Sequence, residues 1–147
     1  MNQTIDWIFT IAGAAFVLLT IYGALKASRK LFLSGIFFFS FLPIIGESMA
    51  YNADKGSVHV LVIFIFITQM VLALPNNITY GPDNVAATKL SSKIAWALLI
   101  INIGAVVFIF CLHPGVALQF GYYHVAIALA ILYLIVRRMG NGAAWLK

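Results

Sequence analysis

The chain has 147 residues, of which 63% are hydrophobic and only 9% charged, with a formal charge of +5 and a mean hydropathy of +1.03. A soluble fold of this length could not hide so much apolar surface, whereas lipid covers it readily. The positive charge flanks hydrophobic runs instead of forming a basic, aromatic-interleaved surface, which argues for anionic headgroups and against nucleic acid as its counterpart.

Five apolar segments follow in order, at about 5–25, 31–51, 58–74, 93–112 and 120–136. The expected fold is therefore all-α, a single bundle of five transmembrane helices joined by short turns. The first segment opens with Asp6 and Trp7 at interface depth and ends at the basic turn Lys26 to Lys30. Its charges follow the apolar run, so a retained span is expected, not a cleaved leader. Asp6, Thr10, Gly13 and Thr20 form a polar and small stripe along it, which predicts a packing seam.

The second segment holds the aromatic run Phe37-Phe38-Phe39-Ser40-Phe41, then Pro43 and Glu47. Ser40, Pro43, Glu47 and Tyr51 fall on one helical face, and Pro43 can bend the helix there. The third segment is rich in β-branched and aromatic residues, a strand-like composition. In lipid that propensity loses, because each backbone amide needs a partner within its own segment. Pro75 is expected to close it, and 76–92 reads as the longest loop. The fourth segment carries Trp96 and is stopped by His113-Pro114-Gly115. The fifth begins with the aromatic belt Phe120, Tyr122, Tyr123 and closes on Arg137-Arg138.

Lys26, Arg29, Lys30, Lys89, Lys93, Arg137, Arg138 and Lys147 fall on one side of this arrangement, and Lys55 alone on the other. Cytoplasmic loops retain Lys and Arg, so the bias predicts an outside N-terminus and a cytoplasmic C-terminus, as in a bacterial inner membrane.

With that orientation Glu47, His59, His113 and His124 gather toward the outer face, together with Asp6 and Asp54. Imidazoles from different helices at similar depth are what a haem or a divalent metal needs, and a quinone is a further candidate ligand. The alternative is that the histidines are ordinary interfacial residues and that Glu47, about 6 Å below its helix end, snorkels to water. A deeper set, Ser40, Gln69, Asn102 and Tyr133, lies near the midplane. Amides and hydroxyls at that depth join helices by hydrogen bonds; the alternative is a polar path running inward from Glu47.

The lone Cys111 forms no internal disulfide, and the chain has no Gly-rich phosphate loop, no nucleophile elbow and no CxxC. Three functions stay open. The favoured one is a non-catalytic subunit or interaction partner within a larger membrane complex, associating with other membrane subunits or with itself. The second is a haem-, metal- or quinone-binding protein using the outer His/Glu set. The third is a small oligomeric transporter or channel.

Overall fold

A computed structural model describes residues 3–75, 85–112 and 118–139. Helix α1 spans Gln3–Leu25, α2 Arg29–Asp54, α3 Ser57–Leu72, α4 Val85–Val107 and α5 Leu118–Leu134. The last turns of α4 and α5 widen into π-helix, at Phe108–Leu112 and Ile135–Met139. No strand occurs among the described residues.

Among the described residues, four segments are long and apolar enough to cross a membrane: Asp6–Leu25, Arg29–Asp54, Leu90–Leu112 and Leu118–Arg137. They point to an integral membrane protein. The third apolar segment is helical and apolar as expected but shorter than these four. Helix α3 has 16 residues, which at helical rise cover about 24 Å, at the short end for a hydrocarbon core of about 30 Å. It also ends at Leu72, before Pro75, since the residue preceding a proline disfavours helical backbone. A second correction concerns the expected loop at 76–92: α4 begins at Val85, so the latter half of that segment is helix. Helix α2 runs unbroken through Pro43.

Neighbouring helices pair in a closed ring: α1 lies along α2 and α5, α2 along α3, and α4 along α5, with a sparser contact between α3 and α4. Two tight turns set this order. After α1, Ser28 N–H donates to Gly23 O (2.9 Å) and Ala27 N–H to Ala24 O (3.2 Å), a Schellman closure with Ala27 left-handed at φ 55°. After α2, Lys55 takes φ 58° and its N–H returns to Tyr51 O at 2.8 Å. The turns reverse the chain with three and two intervening residues, so α2 runs antiparallel to α1 and α3.

The α1–α2 seam is built on small residues. A Cβ on Gly35 would lie 2.6 Å from Thr20 N and 2.8 Å from Phe16 O, and one on Gly23 would meet the Phe32 backbone. The two backbones touch, which gains dispersion where lipid offers no hydrophobic drive between helices. Thr20 of the expected seam lies here. Thr10 and Gly13 turn instead to α5, where Tyr123 Oη donates to Thr10 O (2.9 Å), Gln119 Nε2 to Thr10 Oγ1 (3.2 Å), and the Tyr123 ring covers Gly13.

Inside the ring lie Phe32, Ile36, Phe39, Leu98, Ile127, Ile131 and Leu134. With them lie the polar side chains of Thr20, Ser40, Gln69, Asn102 and His124. The outside carries the largest exposed apolar side chains, such as Ile11, Leu18, Phe64, Ile100 and Val136. Polar groups inside and bulky hydrocarbon outside is an arrangement that water would not sustain and lipid does.

Two stability outcomes follow. Gly35→Val should destabilise the bundle in detergent by at least the 1–3 kcal/mol typical of overpacking, while Gly104→Ala, whose Cβ meets nothing within 4 Å, is tolerated. Ala27→Gly should raise stability by about 1 kcal/mol by relieving the left-handed alanine. Thermal unfolding followed by tryptophan fluorescence reads both.

Candidate functional site

Besides the Thr10–Gln119–Tyr123 contact, two groups of polar side chains stand out among the described residues. The first is a relay across the middle of the bundle. His124 on α5 donates from Nδ1 to Asn102 Oδ1 on α4 at 2.8 Å. Asn102 Nδ2 divides its hydrogens between Leu98 O (2.8 Å) and Gln69 Oε1 of α3 (3.0 Å). Gln69 Nε2 donates to Ser40 Oγ of α2 at 3.1 Å, and Ser40 passes its hydrogen to Ile36 O at 2.8 Å. The bonds run in one direction through four helices and stop on a backbone carbonyl. Gln69, Asn102 and Ser40 are fully buried, and His124 is held between the rings of Phe39 and Phe66, with centroids at 5.1 and 5.4 Å.

Three of the four residues expected at the midplane, Ser40, Gln69 and Asn102, are therefore brought together. Tyr133 is not. It faces the seam between α1 and α5, with Arg137 stacked over its ring at 5.9 Å. Its expected place is held by His124, which sequence reasoning had grouped with the outer set. His124 lies on α5 about two and a half turns from Tyr133, which sets the two on opposite faces and roughly 13 Å apart along the axis, so both the depth and the face differ from the expectation. A usable signal was present in the sequence: Gly121, His124, Ile127, Ile131 and Leu134 recur at helical spacing and form the buried stripe of α5.

The second group sits at the end of the bundle opposite the basic turn. The Lys55–Gly56 turn folds α3 back so that His59, in its first turn, reaches two carboxylates. His59 Nδ1 lies 2.5 Å from Glu47 Oε2, and Nε2 lies 3.0 Å from Asp54 Oδ2. Asp54 also accepts from Gly56 N–H through Oδ1 at 2.7 Å, which pins the turn. Side-chain exposure is 20% for Glu47, 11% for His59 and 63% for Asp54. Glu47 thus lies inside the rim and Asp54 outside it, with the imidazole between them.

A ring with a carboxylate at each nitrogen satisfies both ionised partners only when both nitrogens carry hydrogen. In that form the ring is an imidazolium that donates one N–H to each carboxylate. Asp54, grouped at the outer face from the sequence but not placed among the ligand candidates, belongs to the same constellation as Glu47 and His59.

The four-residue set Glu47, His59, His113 and His124 is accordingly divided. Glu47 and His59 meet, His124 is taken by the central relay, and His113 lies outside the described residues. Among the described residues no three His, Cys, Asp or Glu side chains converge where a metal ion could be held. A metal or haem iron on His59 would have to displace one of its carboxylates, because neither ring nitrogen has a spare lone pair in this arrangement. Comparison with family models, with curated proteins and with solved structures finds no match to this chain.

Replacing Asn102 with Leu strands Gln69 Oε1 and His124 Nδ1–H together and should cost about 1–3 kcal/mol. The Gln69→Leu, Asn102→Leu pair should cost less than the sum of the single changes, and strict additivity would mean that the relay is not formed. For the rim cluster, nitrogen-15 spectra at neutral pH should show both ring nitrogens of His59 as N–H. A single neutral tautomer would contradict the doubly flanked geometry.

Proposed function

We propose that this chain is a small five-span integral membrane protein that serves as a non-catalytic subunit or interaction partner of a larger membrane assembly. The observation that carries this reading is how the bundle uses its polar groups. The central amides, hydroxyl and imidazole are joined to one another across helices, and their relay ends on the Ile36 carbonyl. Such a relay holds helices together and leads nowhere, which favours cohesion over conduction. It weighs against the transporter reading and against a polar path from Glu47 inward.

A second feature supports association. Helix α3 packs along α2 but only sparsely on α4, and Leu61, Phe64 and Val71 on it are more than half exposed. A short helix with one supported flank and a bulky apolar face is suited to lie against another membrane helix. In this reading α3 is the fifth span, shortened at the basic end.

The ligand-handling alternative keeps one specific support, the Glu47–His59–Asp54 cluster. An imidazolium held between two carboxylates at a bundle rim is chemically competent to pass a proton to a bound acceptor such as a quinone. It offers less to a metal or haem, for the lone-pair reason given above.

The orientation in this proposal follows the Lys/Arg bias: basic end cytoplasmic, acidic cluster outside, in a bacterial inner membrane. With Cys111 replaced by Ser, Ala53→Cys should react with an impermeant thiol reagent in intact cells and Asn84→Cys should be shielded. The reverse labelling would invert the assignment. The functional reading is tested by native mass spectrometry of the protein gently extracted from its own membrane. Masses of partner subunits are expected. An isolated chain carrying a haem- or quinone-mass adduct would overturn the subunit reading.

A further inference from the structure

Helices α1 and α5 run parallel, and their seam changes character along its length. Near their N-termini it is closed: Tyr123 reaches Thr10 O at 2.9 Å and its ring lies on Gly13. Toward their C-termini it opens into an outward-facing groove of about 290 Å³. The cause is side-chain size. Ala24 on α1 and Ala126 and Ala130 on α5 form part of the lining, and three methyl groups cannot fill the space between two helix axes. Leu25 and Leu129, each 60% exposed, form its flanks, and Tyr133 lies toward its basic end.

The groove is nearly all hydrocarbon, but its end is not. Lys26 directly follows Leu25, and Arg137 is the next turn after Tyr133. Both cations are exposed, and each is steadied over an aromatic ring, Lys26 Nζ at 5.9 Å from Tyr22 and the Arg137 guanidinium at 5.9 Å from Tyr133. Because α1 and α5 are parallel, the two cations stand at the same end of the bundle. An apolar groove open to the membrane, with two cations next to lining residues at the same end of the bundle, matches a molecule with a long hydrocarbon chain below a negative headgroup.

We propose that the α1–α5 groove is a binding site for one anionic phospholipid, with an acyl chain along Ala24, Ala126 and Ala130 and the phosphate at Lys26 and Arg137. Charge complementarity at the groove end separates this occupant from a neutral lipid and from a second copy of the chain, which would present the same two cations. The site is independent of the subunit reading, since it needs only that the bundle be in a membrane.

The test is native mass spectrometry of the full chain released from nanodiscs of equimolar phosphatidylglycerol and phosphatidylcholine with identical acyl chains. The wild-type chain should retain one lipid and favour phosphatidylglycerol. Lys26→Gln and Arg137→Gln should each lower the glycerol-to-choline ratio about fivefold while a lipid is still retained. Ala126→Leu, which fills the groove, should remove the retained lipid. Equal retention of the two lipids, or a ratio unchanged by both charge substitutions, would overturn the proposal, and neither result depends on the packing variant folding. A lipid-free dimer that Ala126→Leu dissociates would overturn it too, assigning the groove to a second copy.

Discussion

Hydrocarbon accepts and donates no hydrogen bonds, and most of this bundle's organisation follows from that. Each amide, hydroxyl and imidazole at the midplane must find a partner in protein or stay unsatisfied at a cost of several kcal/mol. The relay from His124 through Asn102 and Gln69 to Ser40 meets the requirement with side chains from four helices. Helix α1, which contributes nothing to the relay, is attached differently, by Gln119 and Tyr123 reaching Thr10 and by the glycine contacts of the α1–α2 seam. Each such bond contributes only about 0.6 kcal/mol on average in a membrane, so specificity of pairing is their larger effect. An amide facing an amide on one helix leaves few other rotations available to either.

That alignment depends on the turns. The left-handed Lys55 closes α2, and α3 starts two residues later, so α2 and α3 are held in one antiparallel register. The same register that puts Ser40 opposite Gln69 in the middle puts Glu47 opposite His59 at the rim. Shortening or lengthening the turn would move both pairs at once. Structural cohesion and the acidic cluster are thereby coupled through one short connection.

The two polar groups differ in what they can do. The relay begins at His124, between the rings of Phe39 and Phe66, and ends on a backbone carbonyl. The Glu47–His59–Asp54 cluster joins two mostly buried side chains to the exposed Asp54, so water reaches one side of it. At the other end of the bundle the cations meet an alanine-lined groove. The molecule thus presents an acidic rim, an inert interior and a basic rim, and its two ends are suited to different chemistry.

The helical character was legible in the sequence, because a run of apolar residues long enough to cross a bilayer has no alternative to helix in lipid. The approximate helix limits, the opposition of a basic and an acidic end, and the burial of Ser40, Gln69 and Asn102 followed from the same constraint. Depth along a helix can be counted from its ends, and those three residues were found by counting. Rotation about the axis cannot be counted where nearly every position is apolar, since the hydrophobic contrast that marks an inner face is weak. That is why Tyr133 was expected in the relay and lies on a groove, while His124 was expected at the rim and lies inside. Asp54 joined Glu47 and His59 only once a turn had folded α3 onto α2, and the alanine groove arose only once α1 and α5 were set side by side. The sequence determined which segments avoid water and the depth of Ser40, Gln69 and Asn102; which polar groups meet was decided by helix rotation and register, which are properties of packing between segments and of no single segment.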